Sequence, residues 1–202
     1  MRIDIVDYGV GNLASVSKAL AAAGASPRRV SDPSSIREAR GIVIPGVGHF
    51  GATSALGPGW RRAVQDAISD GLPVLGICLG MQWLFDGSTE AEGVRGLGAV
   101  SGACFRLPDD VKVPHVGWNS LDRIAPASRL LAGITEGANA YFTHSFAAPV
   151  TAATTATTTH GREFASVVER DRVFGVQWHP EKSGAVGLTL LGNFVRMAEA
   201  AC

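Results

Sequence analysis

Two short stretches carry side chains able to do covalent chemistry. The first is GICLG, residues 76–80, with the form Gly-x-nucleophile-x-Gly. Such a motif at a strand-to-helix junction lets the chain turn sharply and lifts its central side chain, here Cys78, above a sheet. A thiol at the start of a helix also meets unpaired N–H groups and the positive end of the helix dipole, which favour the reactive thiolate. The N–H of the next residue, Leu79, is then a natural donor to an oxyanion. The alternative is a glycine-rich turn with an inert, buried cysteine. The second stretch is VFGVQWHPEKSG, residues 173–184. Proline holds His179 extended, so Glu181, two residues on, lies on the same side and can bind one ring nitrogen while the other serves as a base. Alone, His-x-Glu reads first as a solvated surface pair. Together with Cys78 it completes a nucleophile–base–carboxylate set for acyl transfer, since such groups need to meet only in space.

Positioning that set requires a sheet edge, and the first half of the chain predicts one. Apolar runs near 2–6, 27–30, 41–45 and 73–77 read as strands, and stretches near 12–23, 59–70 and 80–86 as helices. Alternation of this kind implies an α/β fold, an open and mostly parallel sheet with helices on both faces. From about residue 96 the segments 97–106, 112–118, 139–147, 150–159, 163–169 and 172–178 read as β-type, mixed or antiparallel, before a helix near 186–200. The threonine-rich run TAATTATTT, 151–159, reads as a solvated edge strand. At 202 residues, with no linker or internal repeat, one domain spanning 1–202 is expected.

Composition narrows the partners. Eighteen basic and eighteen acidic residues balance, which argues against nucleic acid or an anionic membrane surface. Arg2, Asp4 and Asp7 interrupt the first apolar stretch as no secretory leader would, so a cytoplasmic location is expected. Three cysteines, Cys78, Cys104 and Cys202, fit reduced thiols rather than a disulfide framework, and none is spaced for a metal. Cys104 is expected in the core and Cys202 in the tail.

Two further glycine motifs invite a nucleotide reading. Gly9-x-Gly11-x-x-Ala14, with Asp32 downstream, has the pattern of a dinucleotide fingerprint. Gly46-x-x-x-x-Gly51-Ala52-Thr53 has the spacing of a P-loop but places Ala52 where the phosphate-binding lysine belongs, and that reading fails. A non-catalytic flavodoxin-like or Rossmann-like module stays open on the first motif; it leaves Cys78, His-Pro-Glu and the 46–51 loop unexplained.

GICLGMQ with a distant HPE resembles the class I, or triad, glutamine amidotransferases. DYGVGN (7–12), PGVGHFG (45–51), VPHVGWN (113–119), YFTHSF (141–146) and HPEKSG are similar, within that family, to the glutaminase subunits of imidazole glycerol phosphate synthases. The resemblance spans nearly the whole chain and implies glutamine hydrolysis by Cys78, His179 and Glu181 without a cofactor. The ammonia would pass to a β/α-barrel cyclase in histidine biosynthesis. There a phosphoribosyl-aminoimidazole-carboxamide intermediate is aminated and cyclised to imidazole glycerol phosphate, the aminoimidazole ribotide by-product leaving with glutamate. A second oxyanion donor is implied at Val47 or Gly48, in a loop gated by the synthase substrate. Glutamine contacts are implied at Gln82, Gly46, His144 and Ser145, and a heterodimer face at Asn12, Trp118, Asn119, Tyr141 and Lys182. Thr143 and Phe146 depart from the commoner YFVHSY, which leaves their backbones rather than their side chains to carry a role. A triad amidotransferase serving another synthase is the neighbouring alternative.

A glutamine-directed thiol alkylator is expected to label the wild-type chain at Cys78 and to leave Cys78→Ala unlabelled, by intact mass. NADH is expected to give no rise in Tm; a clear rise would favour the dinucleotide reading.

Overall fold

The computed structural model describes residues 1–200. Its strands are β1 (Arg2–Val6), β2 (Ser26–Val30), β3 (Gly41–Gly46), β4 (Val74–Cys78), β5 (Gly87–Ser88), β6 (Ala103–Arg106), β7 (His115–Ser120), β8 (Asn139–His144), β9 (Phe146–Ala147), β10 (Thr154–His160), β11 (Arg162–Arg170) and β12 (Val173–Val176). The helices are α1 (Leu13–Ala22), α2 (Pro58–Ser69), α3 (Leu79–Leu84) and α4 (Gly184–Glu199). Seven strands form the main sheet in the order β10-β11-β12-β4-β3-β1-β2. The five from β12 to β2 run parallel, and β11 and β10 continue the sheet antiparallel. The expected mostly parallel α/β fold with a mixed second half is therefore present.

Central strands covered on both faces must be apolar throughout. GIVIPG in β3 and VLGIC in β4 are buried at every position. Against one face pack Val16 and Leu20 of α1 with Leu190, Leu191, Phe194 and Val195 of α4. Against the other pack Trp60 and Val64 of α2 with Trp83 and Leu84 of α3. Asp4, in the middle of β1, is fully buried and held by Arg28 of β2 through two bonds of 3.0 and 2.7 Å. That pairing explains how a carboxylate survives in an apolar strand.

Several expectations are corrected. Residues 97–102 form no strand, and the β-segment begins at Ala103. Residues 150–153 form a turn, because Thr151 and Thr154 bond each other's backbone or side chain. Gln177 and Trp178 continue beyond β12 without strand pairing to β4. The threonine-rich segment does lie at the sheet edge, yet Ala156, Thr157 and Thr158 are buried. Asp122 bridges Thr157 through both backbone groups, and the Thr158 hydroxyl donates to the Ser120 carbonyl at 2.7 Å, so a neighbouring segment covers this edge. Short 3-10 turns at Pro33–Glu38, Phe50–Ala55 and Pro180–Lys182 had no signal in hydrophobic period.

The Gly9–Ala14 segment is the turn from β1 into α1. Gly9 and Gly11 adopt φ of 87° and 102°, closed to most other residues. Asp32 accepts from the N–H and hydroxyl of Ser34 at 2.8 and 2.9 Å, so it caps the following turn.

The tightest packing is where α3 meets the sheet. A Cβ on Gly80 would lie 1.7 Å from the Ile44 carbonyl oxygen, and one on Gly76 would lie 2.6 Å from the Gly80 backbone. Gly80→Ala is therefore expected to destabilise by about 4 kcal/mol or more, or to abolish soluble expression. Urea unfolding of the variant measures this, and an unchanged midpoint would contradict the packing.

Candidate active site

The thiol stands at the carboxyl end of β4, where open parallel sheets bind ligands. Cys78 has φ 53° and ψ −109°, one of three non-glycine residues with positive φ among those described. Strain of this kind costs about 1–3 kcal/mol and persists only where packing enforces it. Here the enforcement is the Gly76–Gly80 contact described above. Val173–Val176 of β12 pairs in parallel with β4, so the chain leaving β12 carries His179 to the same edge as Cys78.

His179 is 1% exposed, and its Nδ1 lies 2.8 Å from Glu181 Oε1, with both side chains 2% exposed. Its Nε2 is buried and makes no regular hydrogen bond. Burial lowers the imidazole pKa, but the nearness and charge of Cys78 and then of Glu181 outweigh it and raise the value from 6.5 to about 10. Cys78 and the His179–Glu181 pair thus stand at one edge of the sheet. β8 anchors the base: the His179 N–H donates to the Tyr141 carbonyl at 2.9 Å, and the Ser183 hydroxyl donates to the His179 carbonyl while accepting the Tyr141 N–H.

Beside the thiol opens a cleft of about 240 Å³ lined by Gly48, Cys78, Leu79, Gln82, Glu90, Pro114, Thr143, His144, Ser145 and Phe146. A larger cleft, about 620 Å³ between the Pro33–Glu38 turn and α2, contains neither cysteine nor histidine. Among the described residues, the amides of Leu79, Val47 and Gly48 make no turn or loop bond to a backbone carbonyl. Gly48 lines the cleft with φ 97°, whereas Val47 is an exposed side chain that does not line it. Gly46 is also outside the lining, buried beneath Tyr8 and Leu79.

Gln82 lines the cleft, but its nitrogen donates to the Phe146 carbonyl at 2.8 Å and to Gln177 Oε1 at 3.2 Å, leaving its oxygen for a ligand. His144 borders the cleft with both ring nitrogens engaged. The Phe146 carbonyl can only accept, so His144 Nδ1 carries the proton and donates at 2.9 Å. Its Nε2 then accepts from His115 Nδ1 at 3.1 Å, and His115 Nε2 accepts from Asn119 Nδ2 at 3.3 Å. Asn119 also donates to the Thr159 carbonyl, so its side chain ties β7 to β10 rather than standing free. Burial, then neighbouring histidines, lower His115 to about 4 and His144 to about 3.

The remaining expected residues lie at the rim. Trp118 is 58% exposed, stacks edge-on against Tyr141 at 5.9 Å, and Lys182 Nζ lies 5.6 Å from the Tyr141 ring. Asn12 caps α1, its side chain accepting from Ser15 N–H at 3.2 Å. Thr143 and Phe146 act through their backbones: the Cys78 thiol lies 3.9 Å from the Thr143 carbonyl, and the Phe146 carbonyl accepts two bonds. Cys104 is buried in the core, its thiol pKa pushed up by burial and then by Glu90; Cys202 lies outside the described residues.

Sequence reasoning missed three neighbours. Gln177 donates to the Cys78 sulfur at 3.7 Å; its place two residues before His179 on an extended run was the available signal. Glu90 enters the cleft while accepting the Phe50 N–H at 2.7 Å. Tyr8 buries its hydroxyl against Gly46. No local spacing marks these last two.

A strained cysteine elbow at the end of a parallel sheet, coupled to a buried imidazole–carboxylate pair, defines an α/β enzyme class that works through a thioester. A profile of the Glutamine amidotransferase class-I family matches residues 4–198, and the chain belongs to that family. Among curated relatives, "Imidazole glycerol phosphate synthase subunit HisH" from Methanothermobacter thermautotrophicus is 44% identical, covering 98% of this chain and 100% of the relative. Its namesake from Halobacterium salinarum is 46% identical, covering 96% and 92%. A GMP synthase component from Thermoplasma acidophilum has a TM-score of 0.77 at 17% identity, covering 99% of this chain and 94% of its own. The Thermotoga maritima PurLQS structure has 0.75 at 19%, covering 96% and 97%. These two likenesses are of fold alone.

The neutral histidines set an acid limit. Their folded pKa values lie below the unfolded 6.5, so their contribution is present above pH 6.5 and is lost as pH falls toward 4. Tm is expected to fall from about pH 6.5 to about pH 5, and His144→Gln to flatten that slope; equal slopes would contradict the assignment.

Proposed function

We propose that this chain is the glutaminase subunit of an imidazole glycerol phosphate synthase, a single cytoplasmic domain that hydrolyses glutamine and passes ammonia to a β/α-barrel cyclase. The observation that carries the chemistry is the buried His179–Glu181 pair, 2.8 Å apart, brought to the same sheet edge as the strained Cys78. What favours this synthase over others is 44% and 46% identity, across nearly the whole chain, to relatives bearing its name.

The Cys78 thiolate attacks the side-chain amide carbon of glutamine, and the His179 imidazolium gives its proton to the departing ammonia. Water, deprotonated by His179, then attacks the thioester and releases glutamate. Glu181 fixes the ring and stabilises the imidazolium. Leu79 N–H and an N–H of the 47–48 segment receive the oxyanion. The Gln82 oxygen and the Glu90 carboxylate are acceptors suited to the substrate ammonium. Trp118, Tyr141 and Lys182 form an aromatic and cationic patch suited to anchor the cyclase. Among the described residues no helix is long and apolar enough to cross a membrane.

Glutamate release is expected to rise when the cyclase and its nucleotide ligand are added, and Cys78→Ala to lower it roughly 10⁴-fold or more. Trp118→Ala is expected to weaken the heterodimer by about 2 kcal/mol, roughly 30-fold in Kd by calorimetry. A glutaminase stimulated instead by a different synthase would redirect the assignment.

A further inference from the structure

We infer that Tyr8 is a positioning residue for the oxyanion segment, its hydroxyl donating to a carbonyl within Gly46–Gly48 when that segment turns an N–H toward the reacting carbon. This deepens the glutaminase reading and rests on it.

The Tyr8 hydroxyl is buried and makes no hydrogen bond. It presses on Gly46, where a Cβ would lie 2.3 Å from the phenol oxygen and 2.9 Å from the Leu79 Cβ. Gly46 is the register partner of Cys78. The phenol therefore stands under the junction between the nucleophile and the segment that follows β3. Burial, then the charge of Cys78, raises the phenol's pKa, so it is a donor at neutral pH. A buried donor without an acceptor is unfavourable, and a phenylalanine ring would fill the same space without that penalty. The hydroxyl thus has its use in another state of its neighbours.

Only some neighbours are free to change. β1, β3 and β4 are locked in the ladder, and α3 is wedged on the sheet through Gly80. Val47 and Gly48 make no backbone hydrogen bond in the loop, and Gly48 has φ 97° with open space where a Cβ would be. In a planar trans peptide the N–H and C=O point in opposite directions. Turning an N–H of this segment into the cleft sends a carbonyl the other way, and the unpartnered hydroxyl packed on Gly46 is the buried donor beside this segment.

The test compares wild type and Tyr8→Phe, each assembled with the cyclase. Expected are a Tm equal to or above wild type, glutamine kcat reduced roughly 5- to 50-fold with KM within about twofold, and an unchanged rate of Cys78 alkylation by iodoacetamide. Three results would overturn the inference. One is an unaltered kcat. Another is a lowered Tm, which would mean that the hydroxyl has a partner at rest. The third is an alkylation rate that falls in step with kcat, which would place the effect on the thiol. A wild-type complex that releases no glutamate would overturn the glutaminase reading and this inference with it; loss confined to a failed difference between the two proteins would leave that reading intact.

Discussion

The arrangement depends on one steric fact, the approach of the start of α3 to the sheet with no side chain at Gly76 or Gly80 to hold them apart. Gly80 lies so near the Ile44 carbonyl that a methyl group would overlap it, and Gly76 is crowded in turn by the Gly80 backbone. With the helix this close, the chain must turn within one residue at the end of β4, and Cys78 takes up that turn in a backbone region that L-residues avoid. The strain is offset by packing: every residue of α3 is buried, Trp83 and Met81 completely. Position, rather than stability, is what the elbow contributes to chemistry.

From the elbow, two sets of polar contacts radiate through an otherwise apolar interior. One runs from His179 to Glu181 and, through its backbone, to Tyr141 and Ser183. The other runs from Cys78 through Gln177 and Gln82 to the Phe146 carbonyl, where His144, His115 and Asn119 join it. The two histidines of this second set stay neutral because burial penalises a charge there, and each would add to the charge of its histidine neighbours. Strand β8 touches both sets, and its outer face carries Tyr141 beside the exposed Trp118. The rim suited to a partner and the base at the reacting centre are thus held by the same few backbone atoms.

Local patterns made much of this legible. Strands β3, β4 and β12 were readable because strands buried on both faces leave uninterrupted apolar runs such as GIVIPG, whereas β2, at the sheet edge, carries two arginines and is only partly buried. α1, α2 and α4 show helical spacing, with Val16 and Leu20 or Trp60 and Val64 on one side. The threonine-rich edge was misread as solvated because its cover, the segment around Ser120–Asp122, is distant in sequence. The strand bound near 97–102 failed because Leu97 and Val100 serve a loop packed on the core rather than a ladder, and the one near 150–153 because Thr151 and Thr154 close a turn.

The order of residues alone dictates the chemistry and much of its local geometry: a glycine-flanked thiol at a strand end, and an imidazole held extended by the following proline with a carboxylate two residues away, which the structure brings to it through a turn at Pro180–Lys182 rather than along an extended chain. These follow from short-range sterics, which act between neighbours along the backbone. Which polar groups remain for substrate was settled by the folded chain instead. Folding engaged the Gln82 nitrogen, both nitrogens of His144 and the amide of Asn119, brought Glu90 into the cleft, and left the Tyr8 hydroxyl without a partner. The reason is that a buried polar atom takes whatever complementary group the fold carries to it, and that supply comes from segments far apart along the chain.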